Sequence, residues 1–141
     1  MNVARPELFL EVHAGLAELE RAVEELDGFW NAQGLDPGVQ ADLDIAIEEI
    51  VTNAIRHGQA GSTVSVRVTA DAAGVSVEIE DGGREFDPLS HPLPDPAATL
   101  GERRGGGLGI FMVTKMMDET SYERRNGRNF FRMRRSRLPR P

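Results

Sequence analysis

One helical segment of the chain carries three polar side chains that are able to act together in a reaction. In the stretch DLDIAIEEIVTNAIRHG, Glu49, Asn53 and His57 follow one another at steps of four residues. This spacing places them in one row on a single face of a helix, while apolar residues occupy the core-facing positions. A carboxylate can accept a proton, and a carboxamide oxygen is a suitable ligand for Mg²⁺. A solvent-facing row is the alternative interpretation.

Two glycine-containing segments make a site more plausible than a solvated face. The first, EDGGREFDP at 80–88, follows a predicted strand, and the second, GGGLG at 105–109, opens a predicted helix. Taken singly, the first is interpreted as a turn, and the second either as a flexible hinge or as an anion site. Taken together with the helical row, they predict a nucleotide pocket. Glycine N–H groups at a helix start bind phosphate oxygens, and Asp81 at a strand end can accept a hydrogen bond from an amine such as that of adenine.

Within such a pocket, the residues of the helical row are expected to have different roles. Asn53 is expected to bind Mg²⁺, and Glu49, one turn earlier, is expected to lie beside the terminal phosphate and act as a general base. His57 ends the helix, where a cation suits the helix dipole, so a structural role is the preferred interpretation for it.

The periodicity of the rest of the chain predicts the elements that position these residues. Asp36 and Pro37 are a good cap and first residue for the helix that ends at His57 and Gly58. Asn126-Gly127 suits a type I′ hairpin turn. The predicted order is a strand at 7–12, helices at 16–30 and 37–57, a hairpin of strands at 64–68 and 75–79, a loop at 82–107, a helix at 108–118 and a second hairpin. This order predicts an α+β fold, a two-layer α/β sandwich with a mixed, mostly antiparallel sheet and helices on one face.

Composition excludes several classes of protein. There is no cysteine, which excludes disulfides, thiol nucleophiles and zinc ribbons. No apolar run is long enough for a membrane span, and the N-terminus lacks the order of a secretory signal, so a cytoplasmic protein without a membrane partner is expected. The 23 acidic residues all lie in 1–123 together with 8 of the 16 basic ones, whereas the last 18 residues carry 8 arginines and no acid. An acidic body argues against nucleic acid, and Phe130, Phe131 and Met133 among those arginines predict an outer strand.

The three segments also resemble a known family. EEIVTNAIRHG is similar to the N-box, DGGREFDP to the first glycine box and GGGLGIFMV to the second glycine box of the ATPases that include gyrase, heat-shock chaperones and histidine kinases. The anti-sigma-factor serine kinase branch is the most similar, and the resemblance covers about residues 10–135. It implies one ATP-binding domain with the Bergerat fold over 1–141, with ATP and Mg²⁺ as cofactors. The implied site residues are Glu49 as general base, Asn53 on Mg²⁺, Asp81 and Gly83 at the adenine, and Gly105, Gly107, Leu108 and Gly109 at the phosphates.

The same resemblance implies partners and an activity. The expected function is a serine/threonine kinase that phosphorylates a small antagonist protein of the STAS type and sequesters a sigma factor in an alternative complex. A switch that binds ATP and a partner without transferring phosphate is the second interpretation. The apolar stripe from Leu16 to Trp30 is core or a homodimer surface. The segment SHPLPDPAATLGERR is expected to be a lid, in which Arg103 and Arg104 either reach the terminal phosphate or form a solvated pair.

Overall fold

Five strands and three helices, with one short 3-10 helix, make up the described part of a computed structural model, which covers residues 6–13, 16–57, 63–90 and 107–139. The strands and helices are β1 (Glu7–His13), α1 (Leu16–Ala32), α2 (Pro37–His57), β2 (Thr63–Ala70), β3 (Gly74–Asp81), α3 (Gly107–Met116), β4 (Glu119–Arg125) and β5 (Arg128–Ser136), and the 3-10 helix is Pro88–Ser90.

The strands form one sheet in the order β1-β2-β3-β5-β4, in which every described pairing is antiparallel. Leu10, Val66, Ile79 and Phe131 are register partners across four strands, and all four are buried. Apart from Phe130, which is also buried, their neighbours along each strand are more exposed, so one face of the sheet packs against the helices and most of the other faces solvent. The predicted two-layer α+β sandwich is confirmed.

Local chemistry sets the ends of these elements as the sequence predicts. The side chain of Asp36 caps α2 by accepting a hydrogen bond of 2.9 Å from the amide of Gly38. Gly34, with φ of +67°, follows α1 in the left-handed conformation typical of a helix end. Asn126 and Gly127 both have positive φ, 52° and 74°, as a type I′ turn requires. Gly58, the predicted stop of α2, lies outside the described residues.

The arginine-rich end of the chain is part of the sheet. The prediction of an outer strand at 130–133 is wrong, because β5 lies between β3 and β4. Several of its arginines are paired with carboxylates of neighbouring elements: Arg128 with Glu80, Arg132 with Glu78 and Glu123, Arg134 with Asp71, and Arg135 with Asp42. Arg135 is 2% exposed, so its pair with Asp42 ties β5 to α2. The positive charge therefore has a structural use, and the absence of a nucleic-acid partner stays a prediction.

The helix layer gives no indication of a membrane span. Among the described residues, no helix combines the length and the apolar composition that crossing a bilayer requires.

A carboxyl between α1 and α2 makes stability depend on pH. Trp30 donates a hydrogen bond of 2.8 Å from Nε1 to Asp44. Burial, a hydrogen bond with Asp27 and the nearby charge of Glu48 raise the pKa of Asp44 to about 7, against the lowering effect of Trp30. The unfolded chain releases this proton near pH 4, so between about pH 4 and 7 the folded state binds more protons. The free energy of unfolding should therefore fall as pH rises through this window.

Asp44→Asn should remove that dependence. Asparagine keeps an oxygen for Trp30 and gains a donor for Asp27, so we expect the variant to be more stable than the wild type at pH 8, by about 1–2 kcal/mol after allowance for the partial exposure of the group. Thermal melts between pH 4 and 8 measure the effect, with Glu24→Gln on the exposed face of α1 as the control. If the melting temperature depends on pH to the same extent in Asp44→Asn and in the wild type, this carboxyl is not the source of the pH dependence.

Candidate functional site

Two members of the row on α2, Asn53 and His57, and the end of β3 meet at one cavity. Asn53 and Asp81 both line it and are 4% and 7% exposed. Apolar side chains from the helix and sheet layers form part of its wall, namely Ile50, Ala54, Ile79 and Phe131. The cavity volume is about 20 Å³, which is room for about one water molecule. The structure thus brings together two residues that the sequence predicts for one site.

The carboxamide of Asn53 has an unused hydrogen-bonding capacity. Within the described residues no hydrogen bond reaches this side chain, although it is almost fully buried. A buried amide without a partner costs on the order of 1–3 kcal/mol, so such a group is retained where a ligand or water satisfies it. Its oxygen fits Mg²⁺, which takes one or two protein oxygens and completes its shell with water and phosphate. No cluster of three or more His, Asp or Glu able to hold a metal occurs in the described part of the chain, and a magnesium bound mainly by ATP needs none.

The two oxygens of Asp81 are used differently. Oδ1 accepts a hydrogen bond of 2.9 Å from the amide of Gly83 and one of 3.0 Å from Nδ2 of Asn129. Across the described residues no hydrogen bond is made to Oδ2. Because Oδ1 is held by two donors inside the protein, Oδ2 is the acceptor that this carboxylate can offer to a ligand in the cavity.

Asn129 organises this end of the sheet, and sequence reasoning missed it. It is the register partner of Asp81 on β5 and is 6% exposed. Its Nδ2 also donates to the carbonyl of Arg84 at 2.8 Å. Its Oδ1 accepts from Tyr122 and Arg124, and from the amide of Phe86 at 3.4 Å. The amide orientation is fixed because acceptors surround Nδ2 and donors surround Oδ1.

The backbone between Asp81 and Phe86 is therefore clamped to the second hairpin. Arg124 adds a bond of 2.8 Å to the carbonyl of Gly83, which is buried. Only the pairing of β3 with β5 brings these groups together. The acidic and glycine motifs of the sequence do not predict this pairing of strands. The position of Asn129 at the start of a strand is the local feature that points to it.

Replacement of Asn129 by aspartate should weaken nucleotide binding. The side chain keeps nearly the same shape, but a carboxylate oxygen replaces the amide nitrogen that donates to Asp81 and to the carbonyl of Arg84. Hydrogen-bond acceptors would then face each other with no donor between them. We expect ATP affinity to fall at least tenfold, as measured by isothermal titration. The control is Asn126→Asp in the exposed turn of the same hairpin, where either residue tolerates positive φ. Equal affinities for the two variants would show that the Asn129 hydrogen bonds do not support the pocket.

An aromatic pair forms another wall of the cavity. The rings of His57 and Phe86 are stacked, with centroids 4.0 Å apart and an angle of 15° between planes, and both line the pocket. His57 is therefore a pocket residue as well as the end of α2, a location that its place in the sequence did not reveal.

Glu49 lies on the same face of α2 but contacts α3 instead of the cavity. Its side chain is half-buried, whereas Glu48 is exposed as predicted. A Cβ added to Gly109 would lie 1.9 Å from Oε1 of Glu49, so the carboxylate occupies the space beside this glycine. Gly107 and Leu108 lie in the same first turn of α3. Gly105, Arg103 and Arg104, with the predicted lid, lie outside the described residues.

The two-layer sandwich, with Asn53 on a helix and Asp81 at the end of a strand, has the architecture of the Bergerat fold, the class of α/β sandwiches that the sequence motifs resemble. The sequence family agrees with this class. The model of the family described as "Histidine kinase-like ATPase domain" matches residues 12–135. The chain belongs to this family.

Curated relatives carry two names, anti-sigma F factor and serine-protein kinase RsbW. The chain is 28% identical over 101 residues to a protein named anti-sigma F factor from Thermoanaerobacter sp. (strain X514), covering 69% of this chain and 71% of that protein. It is 28% identical over 101 residues to the serine-protein kinase RsbW of Listeria monocytogenes serovar 1/2a, and 32% identical over 93 residues to that of Bacillus subtilis (strain 168). These two alignments cover 67% and 61% of this chain, and 64% and 58% of the kinases.

A solved structure has the same fold. It is the crystal structure of the RsbU and RsbW domains of Rv1364c from Mycobacterium tuberculosis, which matches with a TM-score of 0.63 at 19% identity. The match covers 93% of this chain and 32% of the other, so it supports the fold and nothing further about activity.

Proposed function

We propose that the protein is an Mg²⁺- and ATP-dependent serine/threonine kinase that phosphorylates a small antagonist protein of the STAS type, and that it sequesters a sigma factor in an alternative complex. The names of the curated relatives support the kinase and anti-sigma assignments. The observation that carries the proposal is that Asn53 and Asp81 line one cavity, with a carboxylate one turn from Asn53 on α2. Asn53 is a buried amide that receives no hydrogen bond from the residues that the structure describes, and Oδ2 of Asp81 receives none from them either.

Each of these side chains has a separate task in binding. Oδ2 of Asp81 would accept a hydrogen bond from the exocyclic amine of adenine. Gly83, whose amide and carbonyl are both hydrogen-bonded within the protein, is proposed to shape the adenine site through the turn that follows Asp81. The oxygen of Asn53 would hold Mg²⁺, and the ion bound with ATP would neutralise charge on the phosphate oxygens. Gly105, Gly107, Leu108 and Gly109 are proposed to face the phosphates at the start of α3.

The transfer itself needs a base and a positioned hydroxyl. The hydroxyl oxygen of the antagonist's serine or threonine forms a bond to the terminal phosphorus of ATP while the bond from that phosphorus to the bridging oxygen of ADP breaks. The hydroxyl proton passes to the carboxylate of Glu49, and ADP leaves with the electron pair of the broken bond. A module that only binds nucleotide has no need of a carboxylate at this point of the helix, which favours the kinase over the switch.

Transfer of labelled terminal phosphate tests the proposal. The protein is incubated with Mg-ATP and STAS-type proteins recovered from its native extract, and the acceptor residue is identified by mass spectrometry. The expected result is one phosphorylated serine or threonine, and its replacement by alanine should abolish labelling. Capture of a partner in the presence of ATP without any labelling would instead favour the switch.

A further inference from the structure

The contact between Gly109 and Glu49 carries an inference that rests on the proposed function and deepens it. A Cβ at position 109 would lie 1.9 Å from Oε1, 2.2 Å from Cδ and 2.7 Å from Cγ of Glu49. Three atoms of one side chain therefore fill the volume of any substituent at this position. Distances below 3.0 Å are not tolerated between such atoms, so a residue with a side chain at 109 and the present position of Glu49 exclude each other.

The location of this contact couples two parts of the site. Glu49 belongs to the middle of α2, one turn before Asn53, and Gly109 belongs to the first turn of α3. The side chain of Glu49 lies partly exposed in the seam between the two helices. A carboxylate next to the first turn of a helix is also favoured by the helix dipole. The carboxylate of Glu49 on α2 therefore lies directly against the first turn of α3.

We propose that Gly109 is a positioning residue for the base of the transfer reaction: the absence of a side chain at 109 allows the carboxylate of Glu49 to lie against α3. This role is separate from the binding of phosphate by glycine N–H groups, because it depends on the missing Cβ and not on the backbone amide. It predicts a loss of turnover when a methyl group is added, even though the amide is retained.

Gly109→Ala and Gly28→Ala form a matched pair of variants. Both glycines lie within helices and have no positive φ, but a Cβ at Gly28 meets no atom within 4 Å. Alanine has a higher helix propensity than glycine, so Gly28→Ala should raise the melting temperature slightly and leave phosphate transfer unchanged. Gly109→Ala should lower the melting temperature and reduce kcat at least tenfold, with KM for ATP within about twofold of the wild type.

A double-mutant cycle with Glu49→Ala identifies the cause. Truncation of Glu49 removes all three contacting atoms, so Gly109→Ala should no longer lower the melting temperature in that background. An equal loss of melting temperature in both backgrounds would overturn the proposal, and so would a raised KM for ATP at unchanged kcat, which would assign Gly109 to the phosphates. If the wild type transfers no phosphate, both the kinase function and the catalytic role of this contact are wrong. The melting temperatures of the cycle still show whether a Cβ at position 109 and the present position of Glu49 exclude each other.

Discussion

Glu49→Gln is expected to reduce phosphate transfer by about 10²–10⁴-fold while ATP affinity stays within a few-fold of the wild type. Glutamine has nearly the same shape as glutamate and fits the same space beside Gly109, so the packing of α2 on α3 is retained. What the substitution removes is the group that accepts the hydroxyl proton. The pocket residues Asn53 and Asp81 are untouched, and the nucleotide keeps its contacts.

The measurement compares labelled-phosphate transfer with ATP affinity in the same preparations. Glu48→Gln is the matched control, since Glu48 is the preceding residue on α2 but is exposed, and it should transfer phosphate at the wild-type rate. Asn53→Ala should behave in the opposite way to Glu49→Gln, with weakened Mg-ATP binding as the primary defect. A wild-type transfer rate in Glu49→Gln would exclude this residue as the base.

Much of the fold is predictable because its signals are local. The alternation of Val64, Val66 and Val68 defines a half-buried strand without reference to any other part of the chain, and the turn at Asn126-Gly127 needs only the positive φ that these two residues tolerate. The row on α2 is equally local, since helical periodicity alone aligns Glu49 with Asn53. These predictions agree with the structure because local preference and the final packing favour the same conformation.

The parts that sequence reasoning missed depend on strand order. β3 and β4 are consecutive strands in the sequence, but β5 lies between them in the sheet, and this insertion places Asn129 beside Asp81. The stacking of His57 on Phe86 is also a long-range contact, because it joins the end of α2 to the segment that follows the β2–β3 hairpin. The glycine motif predicts that Gly109 binds phosphate, whereas its contact with Glu49 results from the packing of α2 on α3. Long-range contacts of this kind leave no periodic signal in the chain.

Asp81→Asn should weaken ATP binding at least tenfold with little change in the melting temperature of the protein without nucleotide. The asparagine oxygen can still accept from the amide of Gly83 and from Nδ2 of Asn129, which fixes its orientation, because a flipped amide would set its own donor against those two donors. The amide nitrogen then replaces Oδ2 on the side of the cavity. Two donors, the new amide and the adenine amine, would face each other, and a charge-assisted hydrogen bond that contributes about 1.5–3 kcal/mol is lost.

The same geometry predicts a change in base preference, which distinguishes a lost contact from a damaged pocket. Inosine triphosphate carries a carbonyl where adenine carries its amine, so it should bind Asp81→Asn better relative to ATP than it binds the wild type. Titration of both nucleotides against both proteins gives the ratio. Asp87→Asn is the control, because Asp87 makes the same kind of bond to an amide two residues on, that of Leu89 at 2.9 Å, but does not line the cavity. If ATP affinity is unchanged in Asp81→Asn, Asp81 serves only to hold the turn at Gly83, and recognition of the base lies elsewhere in the pocket.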